Sequence, residues 1–163
     1  MRKAHTLIES IMVVVLVGII SFVFAIYIQE GFNAWQFISG QKSIAMSSRS
    51  ALNRMVREIK RCEADSINAA QPAVFVFNDS ITDMQVSFLQ VGSDLSRGGS
   101  ILLSDLQNPG GLLFTYLDEN GAELPQPIPD NNLVRVVKCR LIVVKNDNKF
   151  VIESAARIRN RIL

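Results

Sequence analysis

IMVVVLVGIISFVFAIYI, residues 11–28, decides the fold: nothing from Ser10 to Gln29 carries a charge, and only Gly18 and Ser21 interrupt the larger apolar side chains. About twenty helical residues rise roughly 30 Å, the thickness of a bilayer's hydrocarbon. Peptide groups in lipid must be satisfied within their own segment, so a helix is expected here although Val and Ile are middling helix formers. Two other readings compete. A buried core helix is usually shorter and keeps a polar stripe. A cleaved secretory signal has a shorter apolar region followed by a small-x-small site, and no clear site of that kind follows this run.

Arg2 and Lys3 precede the run and Glu30 follows it. The positive-inside rule then places the amino terminus in the cytoplasm and the chain beyond Ile28 across the membrane. The expected location is the cytoplasmic (inner) membrane, crossed once, with the bulk of the chain in the periplasm or otherwise outside. At 163 residues there is room for one domain besides an anchor. Lys plus Arg number 17 against 15 Asp plus Glu, a balance too even to indicate a nucleic-acid partner.

From Glu30 to about Ser66 there is no Pro, and Leu52, Met55, Val56, Ile59 and Cys62 recur at helical spacing. The spacing predicts that the helix continues as an amphipathic stem over residues 30–66, weakened at Gly31 and Gly40. Arg49, Arg54, Arg57, Lys60 and Arg61 read as its solvated face, because Glu58 and Glu63 interrupt the charge and aromatics for base stacking are lacking nearby. Phe32, Trp35, Phe37 and Ile38 stand where aromatic side chains favour the water–lipid boundary.

After Pro72 the period changes to alternation, predicting strands at Val74–Phe77, Met84–Val91, Leu112–Leu117, Leu133–Lys145 and Lys149–Ile158. Asp118–Gly121 and Lys145–Lys149 supply turn residues, so hairpins and a mainly antiparallel sheet are expected over residues 67–163. A phase slip between Val134–Val136 and Val137–Val143 predicts a bulge near Val136–Val137. Packing the stem's apolar side on the sheet gives an α+β fold: a long N-terminal hydrophobic helix on a β-sheet head.

The opening MRKAHTLIES resembles the prepilin signature of type IV pilin-like proteins, in which a short basic leader ends in a small residue before an aromatic-Thr-Leu-Ile-Glu block and an apolar helix. Thr6, Leu7, Ile8 and Glu9 match; Ala4 replaces the usual Gly and His5 the usual Phe. The resemblance implies a leader of residues 1–4, an assembly helix beginning at His5 and running through residue 29, cleavage by a prepilin peptidase between Ala4 and His5, and N-methylation of His5. It also gives Glu9 a part in assembly, meeting the terminal amine of a neighbouring subunit. An acid at the hydrocarbon's edge is by default functional, although snorkelling to the headgroups is the plainer alternative. In a filament the aromatics at 32–38 would pack between subunits instead.

Further along, the stem segment RMVREIKR (54–61), Leu95-Ser-Arg97, LFTYLD (113–118) with Gly121, LVRVV (133–137) and Ile158-Arg-Asn160 look like the J-type minor pseudopilins of type II secretion. Minor pilins of type IV pili and of competence systems share the plan. The implied partners are other minor and major pseudopilins, an inner-membrane assembly platform and secretion substrates.

No enzyme is expected, and no cofactor. The one histidine, His5, leaves no triad or zinc cluster for the head, and Gly98-Gly99 and Gly110-Gly111 lack a nucleotide-binding spacing and read as turns. Asp118, Glu119, Asn120 and Asp147 offer oxygen ligands but read as hairpin turns. Cys62, on the stem, and Cys139, on the sheet beneath it, form either a disulfide, which an oxidising compartment would permit, or two buried thiols.

Overall fold

The computed structural model describes residues 7–145 and 148–158. It divides into two compact units at Lys42/Ser43. Up to Lys42 the described chain is helix alone; the second unit holds the last turns of that helix and all the strands.

Helix α1 is continuous from Leu7 to Ile59, 53 residues, so neither Gly31 nor Gly40 breaks it. It ends through a tightened turn in which Arg61 N donates to Glu58 O at 2.9 Å. The stem thus stops short of residue 66, and Cys62–Gln71 is strand β1. That strand was hidden in the sequence because Asp65, Ser66 and Asn68 are poor strand formers. Here tertiary pairing overrides propensity: β1 pairs antiparallel with β2 (Val74–Asp79) across the Pro72-Ala73 turn, irregularly between Cys62 and Ala69. Ser66 Oγ fills part of the irregular stretch, accepting from Glu63 N at 3.2 Å.

β1 and β2 continue as a meander through β3 (Gln85–Val91), β4 (Asp94–Arg97) and β5 (Ser100–Leu103), giving a five-stranded sheet in chain order. A second, three-stranded sheet follows in the order β6 (Leu112–Leu117), β7 (Val136–Lys145), β8 (Asn148–Arg157). Every strand pairing in both sheets is antiparallel. The fold is α+β, as expected.

The expected bulge at Val136–Val137 is absent. β7 begins at Val136 and keeps one register against both neighbours. The phase slip has another cause: Asn131–Leu133 form a 3-10 turn capped by Asp130, whose side chain accepts from Asn132 N, and this turn, not the strand, delivers Val134 to the core. Within β7 the side chains of Val137, Cys139, Leu141 and Val143 are buried. Leu124–Pro129, with three prolines, forms a loop between β6 and the Asn131–Leu133 turn.

The core forms where α1 meets the sheets. Leu52, Met55 and Ile59 from the helix lie in one cluster with Phe75, Phe77 and Phe88 from the first sheet and Phe114, Tyr116 and Leu141 from the second. Phe75 is the hub, with ring centroids 5.2 Å from Phe77 and 5.7 Å from both Phe114 and Tyr116. Polar links join the two sheets: Tyr116 Oη donates to Gln71 O at 3.0 Å, and the Gln90 side chain donates to Gln107 O at 2.8 Å and accepts from Leu112 N at 3.0 Å. Gly111 is forced by space, since a Cβ there would collide with the backbone of Gln107.

Candidate functional site

In the first unit every large apolar side chain from Leu7 to Ile38 is exposed, with Val14 at 71% and Phe22 at 68%. No stripe distinguishes one side of the helix from another. A helix apolar all round is stable only in an apolar surrounding, a packed core or lipid, and this segment has the length and composition of a single membrane span. Among the described residues it is the one helix that qualifies. Phe32 and Trp35 stack at the distal end of the run, centroids 6.2 Å apart.

Glu9 lies in the first turn of α1. An acid at a helix amino terminus is favoured by the unpaired N–H groups there. Ala4 and His5, the expected cleavage pair, lie outside the described residues, as does the rest of the leader.

In the second unit the first of the acidic residues that could serve as ligands has structural work. Asp118 Oδ1 accepts from Asn120 N at 2.9 Å and from Ala122 N at 2.8 Å, so this carboxylate builds its own turn. Asp147 lies outside the described residues. Among the described residues no three His, Cys, Asp or Glu side chains come together as metal ligands. Gly98, Gly99 and Gly110 all take positive φ, as turn glycines do.

The two cysteines are free and buried, and no bond joins them. The disulfide alternative placed Cys62 on the stem helix, facing the sheet beneath; the chain instead enters β1 there. Its Sγ lies 3.3 Å from Glu63 O and 3.8 Å from Ser66 Oγ. Burial pushes both thiols up to about 12, Cys62 against a lowering contribution from the Ser66 contact. Thiolates are the reactive form, so neither side chain suits nucleophilic work.

No family model, curated protein or solved structure matches this chain. What the fold itself provides is a pilin-like architecture: one long N-terminal helix, apolar in its first half, whose final turns pack on an antiparallel head.

One charged group at the helix–sheet junction was misread from sequence. Glu58 does not interrupt a solvated face: it is buried and joins Arg54 Nε at 3.1 Å to Arg97 Nε at 2.7 Å. The signal was present, because position 58 follows Met55 by three and precedes Cys62 by four, inside the apolar stripe. Arg97 is the element that sequence could not supply: it comes from β4, which was not foreseen, and clamps the sheet to the helix end.

Proposed function

We propose that this protein is a minor pseudopilin, a subunit of a short envelope filament that assembles through α1, and that it serves in the tip complex of a type II secretion pseudopilus. The observation that carries the reading is the helix: all-round apolar and exposed from Leu7 to Ile38, with Glu9 in its first turn, and continuing without a break into turns that bear the head. Such a segment has two suitable surroundings, the bilayer before assembly and the helices of other subunits after it. Transfer between them exchanges one apolar environment for another.

In this scheme a prepilin peptidase cuts between Ala4 and His5 and the new terminal amine is methylated. Glu9 then stands near the amino terminus of the mature helix. A carboxylate moved through hydrocarbon costs a few kcal/mol unless paired, and the terminal amine of an adjacent subunit is a partner of opposite charge available only on assembly. Glu9 thereby sets the register of one helix against the next. The head, with no catalytic constellation among its described residues, supplies contacts to other minor subunits or to secreted proteins. The J-type assignment rests on the segments at 54–61, 95–97, 113–118 and 133–137, which fall on the stem, β4, β6 and the approach to β7.

Expression beside a prepilin peptidase, followed by intact-mass analysis, tests the first step: the expected product begins at methylated His5. Glu9→Ala should still be cleaved and remain in the membrane, but its recovery with sheared filaments should fall at least tenfold. Wild-type incorporation of Glu9→Ala would sink the assembly role. Co-purified minor pseudopilins, as against pilus or DNA-uptake subunits, identify the machine.

A further inference from the structure

The open edges of the two sheets are not alike. The edge of β1 lies against the Asn131–Leu133 turn, where Asn131 Nδ2 donates to Ile67 O at 3.0 Å. β5 is four residues long. The outer edge of β6 is occupied at Phe114 N by Pro72 O, and at Tyr116 O by Leu124 N. β8 differs: it is 10 residues long, contains no Pro, keeps an unshifted register with β7, and among the described residues pairs with no other strand. Long regular edges are templates for further pairing unless something blunts them.

The direction of the free edge follows from one bond. Ile158 N donates to Arg135 O at 3.0 Å, continuing the β7–β8 register, so even-numbered residues of β8 turn their amides toward β7. Odd-numbered residues therefore aim N–H and C=O outward, and these same residues, Lys149, Val151, Glu153, Ala155 and Arg157, have the exposed side chains. The edge reads plus, apolar, minus, small, plus.

We propose that β8 is a self-complementary edge through which two copies of this chain pair antiparallel about Val151, joining their three-stranded sheets. Charge argues for a second copy as the occupant and favours the register: of the two-fold registers open to the outward residues, only those centred on Val151 and Ala155 set unlike charges opposite each other. Centring the pair on Val151 sets Lys149 opposite Glu153 of the second copy, twice by symmetry, with Val151 against Val151 between. Centring on Glu153 would oppose two glutamates and set Lys149 against Arg157, and like charges directly opposite are destabilising. Centring on Ala155 also matches charges but overlaps only residues 153–157 of the strand, against 148–154 for Val151. Within one copy Arg140 stands across from Glu153, so the carboxylate would lie between Arg140 and the second copy's lysine. Val151 at 44% exposure and Val144 at 38%, with half-buried Ile142 paired to Val151, would merge into one apolar strip across the junction. The pairing concerns the head alone and stands whether or not the filament reading does.

Cysteine cross-linking of the full chain in membranes tests it, the native thiols being buried. In a directly opposed hydrogen-bonded pair the Cα atoms lie about 5.5 Å apart, within disulfide reach, whereas in this register two copies of residue 155 are roughly 26 Å apart along the strands. Val151→Cys should give at least tenfold more homodimer than Ala155→Cys under mild oxidation. Glu153→Lys on the Val151→Cys background should cut the yield several-fold, and adding Lys149→Glu should restore it. Equal yields from the two cysteine positions, or indifference to Glu153→Lys, would overturn the proposal.

Discussion

Two stretches of α1 share a backbone conformation and little else. From Leu7 to Ile38 the large apolar side chains point in every direction and all are exposed; from Ser48 to Ile59 only one stripe is buried, made by Ser48, Ala51, Leu52, Met55, Glu58 and Ile59. The first stretch is matched to a surrounding, the second to a particular surface. Lipid or a bundle of like helices has no preferred side, so a stretch destined for it needs no stripe. A sheet packs against one side, so the other side is released to Arg49, Arg57 and Lys60.

The division predicts that damage to either stretch stays there. The largest effect comes from Val17→Arg combined with Ile20→Arg, which should cost about 5–7 kcal/mol of insertion free energy near the span's centre. Membrane fractionation should show the double variant largely lost from the bilayer. The melting temperature of its head, followed by tryptic resistance in detergent, should be unchanged; a large fall would mean that the stretches are coupled. Phe75→Ala strikes the opposite side of the comparison. Removing the hub ring should destabilise the head by about 3–5 kcal/mol while leaving fractionation as in the wild type.

The smallest effect is a titration. Burial holds the Cys62 and Cys139 thiols at about 12 against an ordinary 9.0, and it raises the Tyr116 hydroxyl as well. The folded head therefore favours the protonated forms. That contribution is complete below pH 9 and is lost as pH climbs from 9 through 12. Thermal melts of the head should decline across this range, and Cys139→Ala should flatten the decline while lowering the melt at neutral pH. Membrane retention should not titrate with these groups.

How far the sequence could be read follows the same division. The apolar stretch was legible from composition alone, because lipid sorts residues by type without regard to partners. β2, β3, β6, β7 and β8 were legible to within a few residues because Phe, Val and Leu alternate in them. β1 and β4 were not, because Ala64-Asp65-Ser66 and Asp94-Leu95-Ser96 carry weak strand preferences and pairing with stronger neighbours makes them strands; β5, Ser100–Leu103, is too short to show an alternation. The misplaced bulge at Val136 came from the same limit, since buried Val134 belongs to a turn that periodicity does not describe. Of the candidate site, Glu9 stands in the first turn of the described helix, at the edge of the apolar run that marks it in the sequence, while the pairing of Glu58 with Arg97 depends on a strand 39 positions away along the chain.

Gln90 carries a consequence for the order in which the head is made. Its carboxamide waits for Gln107 and Leu112, which are 17 and 22 residues further along. A chain threading outward from its anchored end finishes all five strands of the first sheet before either partner has emerged. Until then Phe75 also lacks Phe114 and Tyr116. The first sheet is therefore a scaffold rather than a finished body, and the protein becomes self-supporting only when its last third arrives.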